Sequence, residues 1–247
     1  EDKVLQQSSL AFDVSVEEIF PTLISGACLC IHPGGGRDIQ GMFKLITDQE
    51  ISIVSTTPLV INELNQDPAQ LATVRVLISG GEELKPSHIT NLIDQTRIVN
   101  TYGPTEATVC ASYHEVDTLD NAALIGKPTT NHEVWIIGDD NTPLLRGMIG
   151  EIAIAGSGLA QGYVNREAEE EKAFVKVPFA KGGRIYRTGD LGCLTEDNQL
   201  KFLGRKDQQL KFRGYRIERA EIVAALLQIK EVQDAHISIK VLGQTAH

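Results

Sequence analysis

The stretch Arg97-Ile98-Val99-Asn100-Thr101-Tyr102-Gly103-Pro104-Thr105-Glu106 runs from an apolar segment into a polar turn. Its first four residues, Arg97–Asn100, predict a short strand. Ligands of α/β proteins collect at the carboxyl ends of such strands, which makes the turn a candidate ligand site. Its tyrosine offers a flat face for a purine ring, its threonine a hydroxyl for a phosphate oxygen, and its glutamate a hard oxygen for Mg²⁺. Taken alone, the stretch is equally consistent with an ordinary Gly-Pro turn.

Strand-like and helix-like runs alternate before this turn. The predicted strands are short and rich in Ile, Val and Leu, namely Ala27–His32, Ile51–Ser55 and Val74–Ser79. The predicted helices carry apolar residues at helical spacing, namely Val16–Ile24, Ile39–Asp48, Leu59–Asn65 and Ser87–Asp94. This alternation predicts βαβ units and a mainly parallel sheet.

The second half of the chain has few predicted helices. Gly and Asp residues separate its predicted strands, as in a smaller antiparallel sheet, and these strands are Glu133–Ile137, Gly150–Ala155, Gln199–Leu203 and Gln209–Arg213. The last part predicts a helix, Arg219–Gln228, and a strand, His236–Lys240. The expected fold class is therefore mixed α/β.

Composition excludes several classes of protein. With 247 residues and 42% hydrophobic side chains, the chain has enough apolar material for one large domain or two small ones. A net charge of −10 argues against nucleic acid or an anionic membrane as the main partner. No apolar run approaches the ~20 residues of a membrane span, and no signal-peptide pattern is present, so the expected compartment is the cytoplasm. The four cysteines lack zinc-ligand spacing and predict free thiols.

Further motifs accompany the turn in a fixed order. They are Gly150–Gly156 continuing into Gly158–Tyr163, then Tyr186–Leu191, Gly204–Asp207 and Lys211–Glu218. Together with the turn, this ordered set resembles the adenylate-forming superfamily, and specifically the adenylation domains of nonribosomal peptide synthetases. The resemblance covers essentially the whole chain. It implies part of a large amino-terminal subdomain of αβ sheets plus a small β-sheet region, residues 1–206, followed by the start of a small α+β carboxyl-terminal subdomain, residues 207–247.

The resemblance also assigns roles to individual residues. It implies nucleotide contacts at Asn100 and Tyr102 for the adenine, Thr105 for the α-phosphate, Asp190 and Arg205 for the ribose, and Phe202 where the family often has tyrosine. Thr105 and Glu106 would be the catalytic residues, with Glu106 as the Mg²⁺ ligand. Asp207 would be the hinge of the small subdomain, and Gly214 would lie near the arm of a carrier domain, where glycine permits close approach.

Asp13 in Phe12-Asp13-Val14-Ser15 is the residue that would pair with the ammonium group of an amino acid. A competing interpretation places Asp13 simply at a helix N-terminus, since Ser15 and Glu18 have capping-box spacing. The resemblance favours the ammonium contact. It completes the side-chain pocket with Val14, Glu17, Ser55, Ile78, Gly80, Thr101, Val109 and Cys110.

Glu17 is the exception in a pocket of small or apolar residues. A lone helical glutamate is usually a solvated first-turn residue. Inside an apolar pocket, however, an ionised carboxylate is costly unless a cation pairs with it. We therefore expect a basic substrate, ornithine, lysine or arginine, ahead of one that carries a thiol or phenol.

The implied reaction is ATP-dependent formation of an aminoacyl adenylate, followed by transfer to the phosphopantetheine thiol of a peptidyl carrier domain, with a condensation domain as a further neighbour. The family's phosphate loop and catalytic lysine are expected outside these residues, so the isolated piece is expected to be inactive. The alternatives are an acyl- or aryl-CoA ligase of the same superfamily and a non-catalytic fragment. Asp13 counts against the ligase, and the retention of Thr105, Glu106, Asp190 and Arg205 counts against decay.

Overall fold

The chain forms two compact units, residues 1–204 and residues 205–247, in a computed structural model. The structure describes all of the first unit. In the second it describes residues 205–206, 210–212, 215–217, 219–229, 232, 235, 237, 241–242 and 245–246. The subdomain boundary expected after residue 206 stays a prediction.

A parallel sheet with crossover helices forms the first half of the first unit. Its elements are β1 (Lys3–Gln6), α1 (Val14–Ile24), β2 (Cys28–Ile31), α2 (Ile39–Gln49), β3 (Ile53–Thr56), α3 (Pro58–Leu64), β4 (Val76–Ser79) and β5 (Arg97–Tyr102). The strands lie in the order β2-β1-β3-β4-β5, and every neighbouring pair is parallel. The predicted βαβ pattern is therefore present, and β1 is an additional strand that the pattern did not predict.

The helix predicted over Ser87–Asp94 is wrong. The segment contains only the end of a three-residue 3₁₀ helix, Pro86–His88, followed by turns. Its apolar residues Ile89 and Leu92 are nevertheless buried, which explains the helical spacing. Asn91 donates two hydrogen bonds to Asn65, from its backbone N–H to Oδ1 and from its side-chain amide to the backbone oxygen. Such side chain–backbone bonds compete with a helix.

Antiparallel strands form the second half of the first unit. The elements of this half, seven strands and one short helix, are β6 (Ser112–Val116), β7 (Leu124–Pro128), β8 (His132–Ile137), β9 (Gly150–Gly156), α4 (Glu167–Ala173), β10 (Phe174–Lys176), β11 (Arg184–Leu194) and β12 (Leu200–Arg205). The sequence predicted a smaller antiparallel sheet here, and the strands are antiparallel. Because β6 pairs with β5 and β7 pairs with β12, they continue the parallel sheet as β5-β6-β7-β12-β11-β9-β8, with β10 beside β11, in one 12-stranded sheet.

The second unit contains short elements. They are β13 (Leu210–Phe212) paired antiparallel with β14 (Tyr215–Ile217), α5 (Arg219–Leu227), and β15 (Val241–Leu242) paired with β16 (Thr245–Ala246). Asp207, Gly214 and all of the predicted strand His236–Lys240 except Ile237 lie outside the described residues. Within the part of the chain that the structure describes, no helix has the length and hydropathy of a membrane span.

The core of the first unit divides as the sheet does. Leu5, Leu77 and Ile98 of the parallel strands are completely buried against helix residues such as Met42 and Ile46. A second cluster, around Tyr102, Ile125, Ile152 and Leu200, lies under the antiparallel strands. Tyr102 is the last residue of β5, so the second core begins where the parallel sheet ends, and this is also where the candidate turn begins.

A substitution at Gly126 in β7 tests how closely the strands pack at the junction between the two halves of the sheet. A Cβ at this position would lie 1.9 Å from the backbone oxygen of Tyr113 in β6, and Gly126 has a φ of +72°. We expect Gly126→Ala to lower the free energy of unfolding by at least about 3 kcal/mol, because two paired strands must separate. Chemical denaturation measures the change.

Gly182→Ala is the matched control, since Gly182 has a φ of +83° and no atom within 4 Å of its added Cβ. It should cost only about 1–2 kcal/mol of backbone strain. Equal losses for the two variants would contradict a steric requirement at Gly126.

Candidate functional site

The turn that follows β5 doubles back tightly on itself. Thr105–Ala107 form a short 3₁₀ helix, and the next two residues, Thr108 and Val109, have left-handed backbones with φ of 57° and 64°. Two consecutive non-glycine residues in this region store strain, as binding sites often do. A Cβ on Gly103 would lie 2.3 Å from the oxygen of Val109. Glycine is therefore required at this position for the turn to close.

Tyr102 and Asp190 join the turn to the antiparallel strands. The Tyr102 hydroxyl donates a hydrogen bond of 2.6 Å to Oδ2 of Asp190, although the two residues are 88 positions apart. Both are buried, with exposed fractions of 8% and 3%. The ring of Phe202 in β12 lies 6.3 Å from the Tyr102 ring at 39°. The structure thus brings together three of the residues predicted to bind nucleotide.

A bulge in β11 turns Asp190 toward Tyr102. The register with β9 shifts between Arg187 and Leu191. Glu151 of β9 holds the bulge, because its carboxylate accepts from the Gly189 N–H at 3.1 Å and from the Arg187 guanidinium at 2.5 Å. A buried charge is stabilised by such a pair and would be costly without it. The sequence motif Tyr186–Leu191 therefore encodes a bulge, and its glycine occupies the left-handed position with φ of 72°.

Asn100 is buried in β5, two residues before Tyr102. Its side-chain amide donates to the backbone oxygens of Ala122 at 3.1 Å and Leu124 at 2.8 Å. These two acceptors fix the orientation of the amide. Oδ1 is then an acceptor that has no partner among the described residues. This orphaned acceptor fits the exocyclic amine of an adenine.

Glu106 is held by the loop that follows β9. Its Oε1 accepts from the Tyr163 hydroxyl at 2.7 Å, and its backbone oxygen accepts from the Ala160 N–H at 2.8 Å. Thr108 adds a third link, because its hydroxyl donates to the Gly158 oxygen at 2.6 Å. The motif Gly158–Tyr163 is therefore a loop clamped onto the turn. The resemblance to the family assigned no role to Tyr163.

Mg²⁺ is the metal that the family resemblance implies. The described residues contain no group of three or more His, Cys, Asp or Glu side chains that could hold a metal ion. Mg²⁺ is ordinarily held by one or two carboxylates together with substrate phosphates and water, so a cage made only of protein is not required. Glu106, a carboxylate on the same turn as the exposed Thr105, fits a cation of this kind.

The capping box considered for α1 is absent. Asp13 precedes the helix, but its side chain makes no capping hydrogen bond. Ser15 donates instead to the oxygen of Phe12. Glu18 is buried and accepts from the Ser8 N–H and hydroxyl, which anchors α1 to the segment after β1. Asp13 therefore occupies the N-cap position of α1, where the competing interpretation placed it, but its side chain accepts no capping hydrogen bond there.

Neighbouring strands carry the remaining pocket residues. Ser55 of β3 pairs in register with Ile78 of β4. The Thr101 hydroxyl donates to the Ser79 oxygen at 2.9 Å, and a Cβ on Gly80 would lie 2.8 Å from that hydroxyl. The strand ends therefore place Ser55, Ile78, Gly80 and Thr101 along one edge of the parallel sheet.

Glu17 and Cys110 bring α1 and the turn into one electrostatic environment. Burial, with smaller contributions from the nearby carboxylates of Glu18 and Asp13, raises the pKa of Glu17 to about 7. Burial also raises the pKa of the Cys110 thiol to about 12, with a contribution from Glu17. No cation pairs with Glu17 among the residues that the structure describes. Val14 lies one helical turn before Glu17 in α1 and Val109 directly precedes Cys110, so the predicted side-chain pocket would have one acidic corner.

Glu17→Gln should therefore stabilise the protein in a pH-dependent way. The ordinary pKa of glutamate here is 4.5 and the folded value is about 7. Between these values the folded state retains a proton that the unfolded state has released, so the free energy of unfolding falls as pH rises. We expect a gain on the order of 2 kcal/mol at pH 8 and almost none at pH 4, measured by chemical denaturation.

Glu63→Gln, at an exposed glutamate of α3, is the matched control and should change stability by less than about 0.5 kcal/mol at both pH values. An equal gain from Glu17→Gln at pH 4 and pH 8 would show that desolvation of the charge is not the cause.

Two curated synthases are similar to this chain in sequence. It is 38% identical over 244 residues to bacitracin synthase 2 of Bacillus licheniformis, and the match covers 97% of this chain and 9% of that protein. It is 39% identical over 240 residues to tyrocidine synthase 3 of Brevibacillus parabrevis, and the match covers 94% of this chain and 4% of that protein. The chain thus spans less than a tenth of the length of either relative.

A solved structure has the same fold. It is holo-PA1221, described as an NRPS protein containing adenylation and PCP domains bound to a vinylsulfonamide inhibitor. The TM-score is 0.91 at 30% identity, and the match covers 97% of this chain and 43% of that chain. The family described as AMP-binding enzyme matches residues 1–164, which include the turn after β5 and the loop that clamps it. The chain therefore belongs to the AMP-binding enzyme family, within which it resembles the adenylation domains of nonribosomal peptide synthetases.

Proposed function

We propose that this chain is part of a ligase that activates an amino acid with ATP and delivers it to a carrier domain. The observation that carries the proposal is the buried hydrogen bond between Tyr102 and Asp190. It places an aromatic face and a carboxylate, from motifs far apart in sequence, beside the turn that bears Thr105 and Glu106. The name of PA1221, with its adenylation and PCP domains, supports the same reaction and the same kind of partner.

The nucleotide half of the site follows from these residues. The orphaned Oδ1 of Asn100 would accept from the adenine amine, and the Tyr102 ring would stack on the base. The Tyr102 hydroxyl orients the Asp190 carboxylate that would accept from the ribose hydroxyls. Thr105, exposed on the turn, would donate to the α-phosphate. Phe202 would extend the apolar surface beside the base, and Arg205 would assist at the ribose.

The reaction needs no protein nucleophile. A carboxylate oxygen of the amino acid attacks the α-phosphorus of ATP, and pyrophosphate leaves with the electron pair of the broken P–O bond. Mg²⁺, when bound, neutralises charge on the phosphate oxygens. Glu106 would contribute an oxygen ligand for it, and enclosure of the acyl adenylate in the parent protein would exclude water. The phosphopantetheine thiol of the carrier domain then attacks the acyl carbon, and AMP leaves.

The surrounding protein is part of the proposal. Asp207 would be the hinge of the small subdomain and Gly214 would lie near the phosphopantetheine arm, with the boundary after residue 206. A phosphate loop and a catalytic lysine would be supplied from outside these 247 residues. A condensation domain would be a further neighbour, and the cytoplasm the compartment. The activity is therefore proposed for the parent protein.

Glu17 supports a basic substrate. Asp13, whose side chain makes no capping hydrogen bond, would pair with the α-ammonium. Glu17 would face a side-chain pocket formed with Val14, Ser55, Ile78, Gly80, Thr101, Val109 and Cys110. Its raised pKa marks a carboxylate that is destabilised when ionised and has no cation near it. A substrate ammonium or guanidinium would remove that penalty and be bound in return. Ornithine, lysine and arginine satisfy this requirement.

ATP–pyrophosphate exchange on the parent protein tests the proposal. We expect strong exchange with ornithine, lysine or arginine, and a loss of about 100-fold in kcat/KM for that substrate on Glu17→Gln, because the charge pair is lost. Glu63→Gln, in the exposed position on α3, should leave exchange unchanged.

Other outcomes distinguish the parts of the proposal. Exchange with neutral amino acids only would retain the reaction and reject the role of Glu17. No exchange with any amino acid, together with thioester formation from a carboxylic acid and coenzyme A, would identify an acyl- or aryl-CoA ligase. The absence of both activities would identify a non-catalytic member of the family.

A further inference from the structure

Tyr163 provides a directional donor for the Glu106 carboxylate. The phenol hydroxyl lies 2.7 Å from Oε1 of Glu106, whose exposed fraction is only 9%. The backbone of Glu106 is held separately, by the Ala160 N–H. Backbone and side chain are therefore fixed by two different groups of the same loop.

An aromatic and cationic scaffold fixes the position of Tyr163. Its ring makes an edge contact with the Phe174 ring at 5.5 Å, and Phe174 in turn lies 5.0 Å from Tyr186. The Arg184 guanidinium lies 4.3 Å above the Phe174 ring and donates to the backbone oxygens of residues 160 and 161. Such packing limits the rotamers of the phenol, so its hydroxyl is held in place before any ligand binds.

A phenol is chemically suited to this task. Lys or Arg beside Glu106 would fix the carboxylate but also neutralise it, which would weaken its attraction for a cation. A neutral hydroxyl that donates one hydrogen bond restricts the rotation of the carboxylate and leaves its charge in place. A phenol has an ordinary pKa of about 10, so the hydroxyl carries its proton at neutral pH.

We infer that Tyr163 is a positioning residue, which holds the Glu106 carboxylate in the orientation that receives the Mg²⁺ carried by ATP. The inference rests on the proposed function. It goes beyond that function because it assigns the loop after β9 a part in metal binding.

If the hydroxyl served only to hold the loop in place, its removal would displace the loop. The loop is clamped independently by the Ala160–Glu106 and Thr108–Gly158 hydrogen bonds and by Arg184. Removal of the Tyr163 hydroxyl alone should therefore leave the loop in place. The effect should appear in affinity for the metal and not in affinity for the amino acid.

Tyr163→Phe in the parent protein tests the inference, with Tyr113→Phe as the control, since Tyr113 lies on β6 with 47% of its surface exposed. The first readout is binding of Mn²⁺ to the complex with α,β-methylene ATP, followed by electron paramagnetic resonance. We expect the Mn²⁺ Kd to rise about 10-fold in Tyr163→Phe and to stay unchanged in Tyr113→Phe. The Mg²⁺ concentration that half-saturates pyrophosphate exchange should rise similarly, with the amino-acid KM unchanged.

A double-mutant cycle with Glu106→Gln identifies the route of the effect. If Tyr163 acts through the Glu106 carboxylate, Tyr163→Phe should add almost nothing to the loss of Mn²⁺ affinity in the Glu106→Gln background. An unchanged Mn²⁺ Kd in Tyr163→Phe, or an equal additional loss in both backgrounds, overturns the inference. A wild-type protein that neither exchanges pyrophosphate nor binds the nucleotide complex rejects the proposed function itself, which is a different outcome.

Discussion

The hydrogen bond between Tyr102 and Asp190 connects the two halves of the first unit at the point where the site is built. It requires Tyr102 to end β5 with its hydroxyl directed at the antiparallel strands, and it requires the β11 bulge to direct Asp190 back. The bulge in turn depends on Glu151, whose carboxylate holds both Arg187 and the Gly189 N–H. A site made from distant motifs is thus fixed by a short chain of buried polar contacts, each of which would be costly to leave unpaired.

Backbone strain and displaced pKa values lie at the turn after β5 and at the neighbouring residue Glu17 of α1. Thr108 and Val109 occupy left-handed conformations, and Glu17 and Cys110 have pKa values displaced by burial. Each of these features costs stability in the absence of ligand. A folded protein tolerates them where the surrounding sheet is firmly packed, and the completely buried residues Leu77 and Ile98 of β4 and β5 provide such packing. A substrate that relieves the charge would convert that cost into binding selectivity.

Sequence patterns located the elements better than they located the contacts. The β3, β4 and β5 strands were predicted to within three residues at each end, because buried parallel strands are short apolar runs with polar ends. Ser87–Asp94 was misassigned, because buried turns can show the same apolar spacing as a helix. The strands β6, β7 and β11 were missed, since their sequences mix polar and apolar residues in a sheet whose two faces differ. Motif order identified Asn100, Tyr102, Thr105, Glu106 and Asp190 as one set.

By itself, the sequence determined the α/β character, the acidic charge, the order of the motifs and the family, since all of these are carried by residue type and spacing along the chain. Only the tertiary structure decided that the two sheets are continuous, that the Asp13 side chain makes no capping hydrogen bond at the start of α1 and that Glu17 lies in a desolvated acidic corner. The structure alone also placed the Tyr163 hydroxyl on Glu106, across 57 residues of sequence. These properties depend on distance and on exclusion of water between residues far apart in the chain, and a local pattern does not encode either quantity.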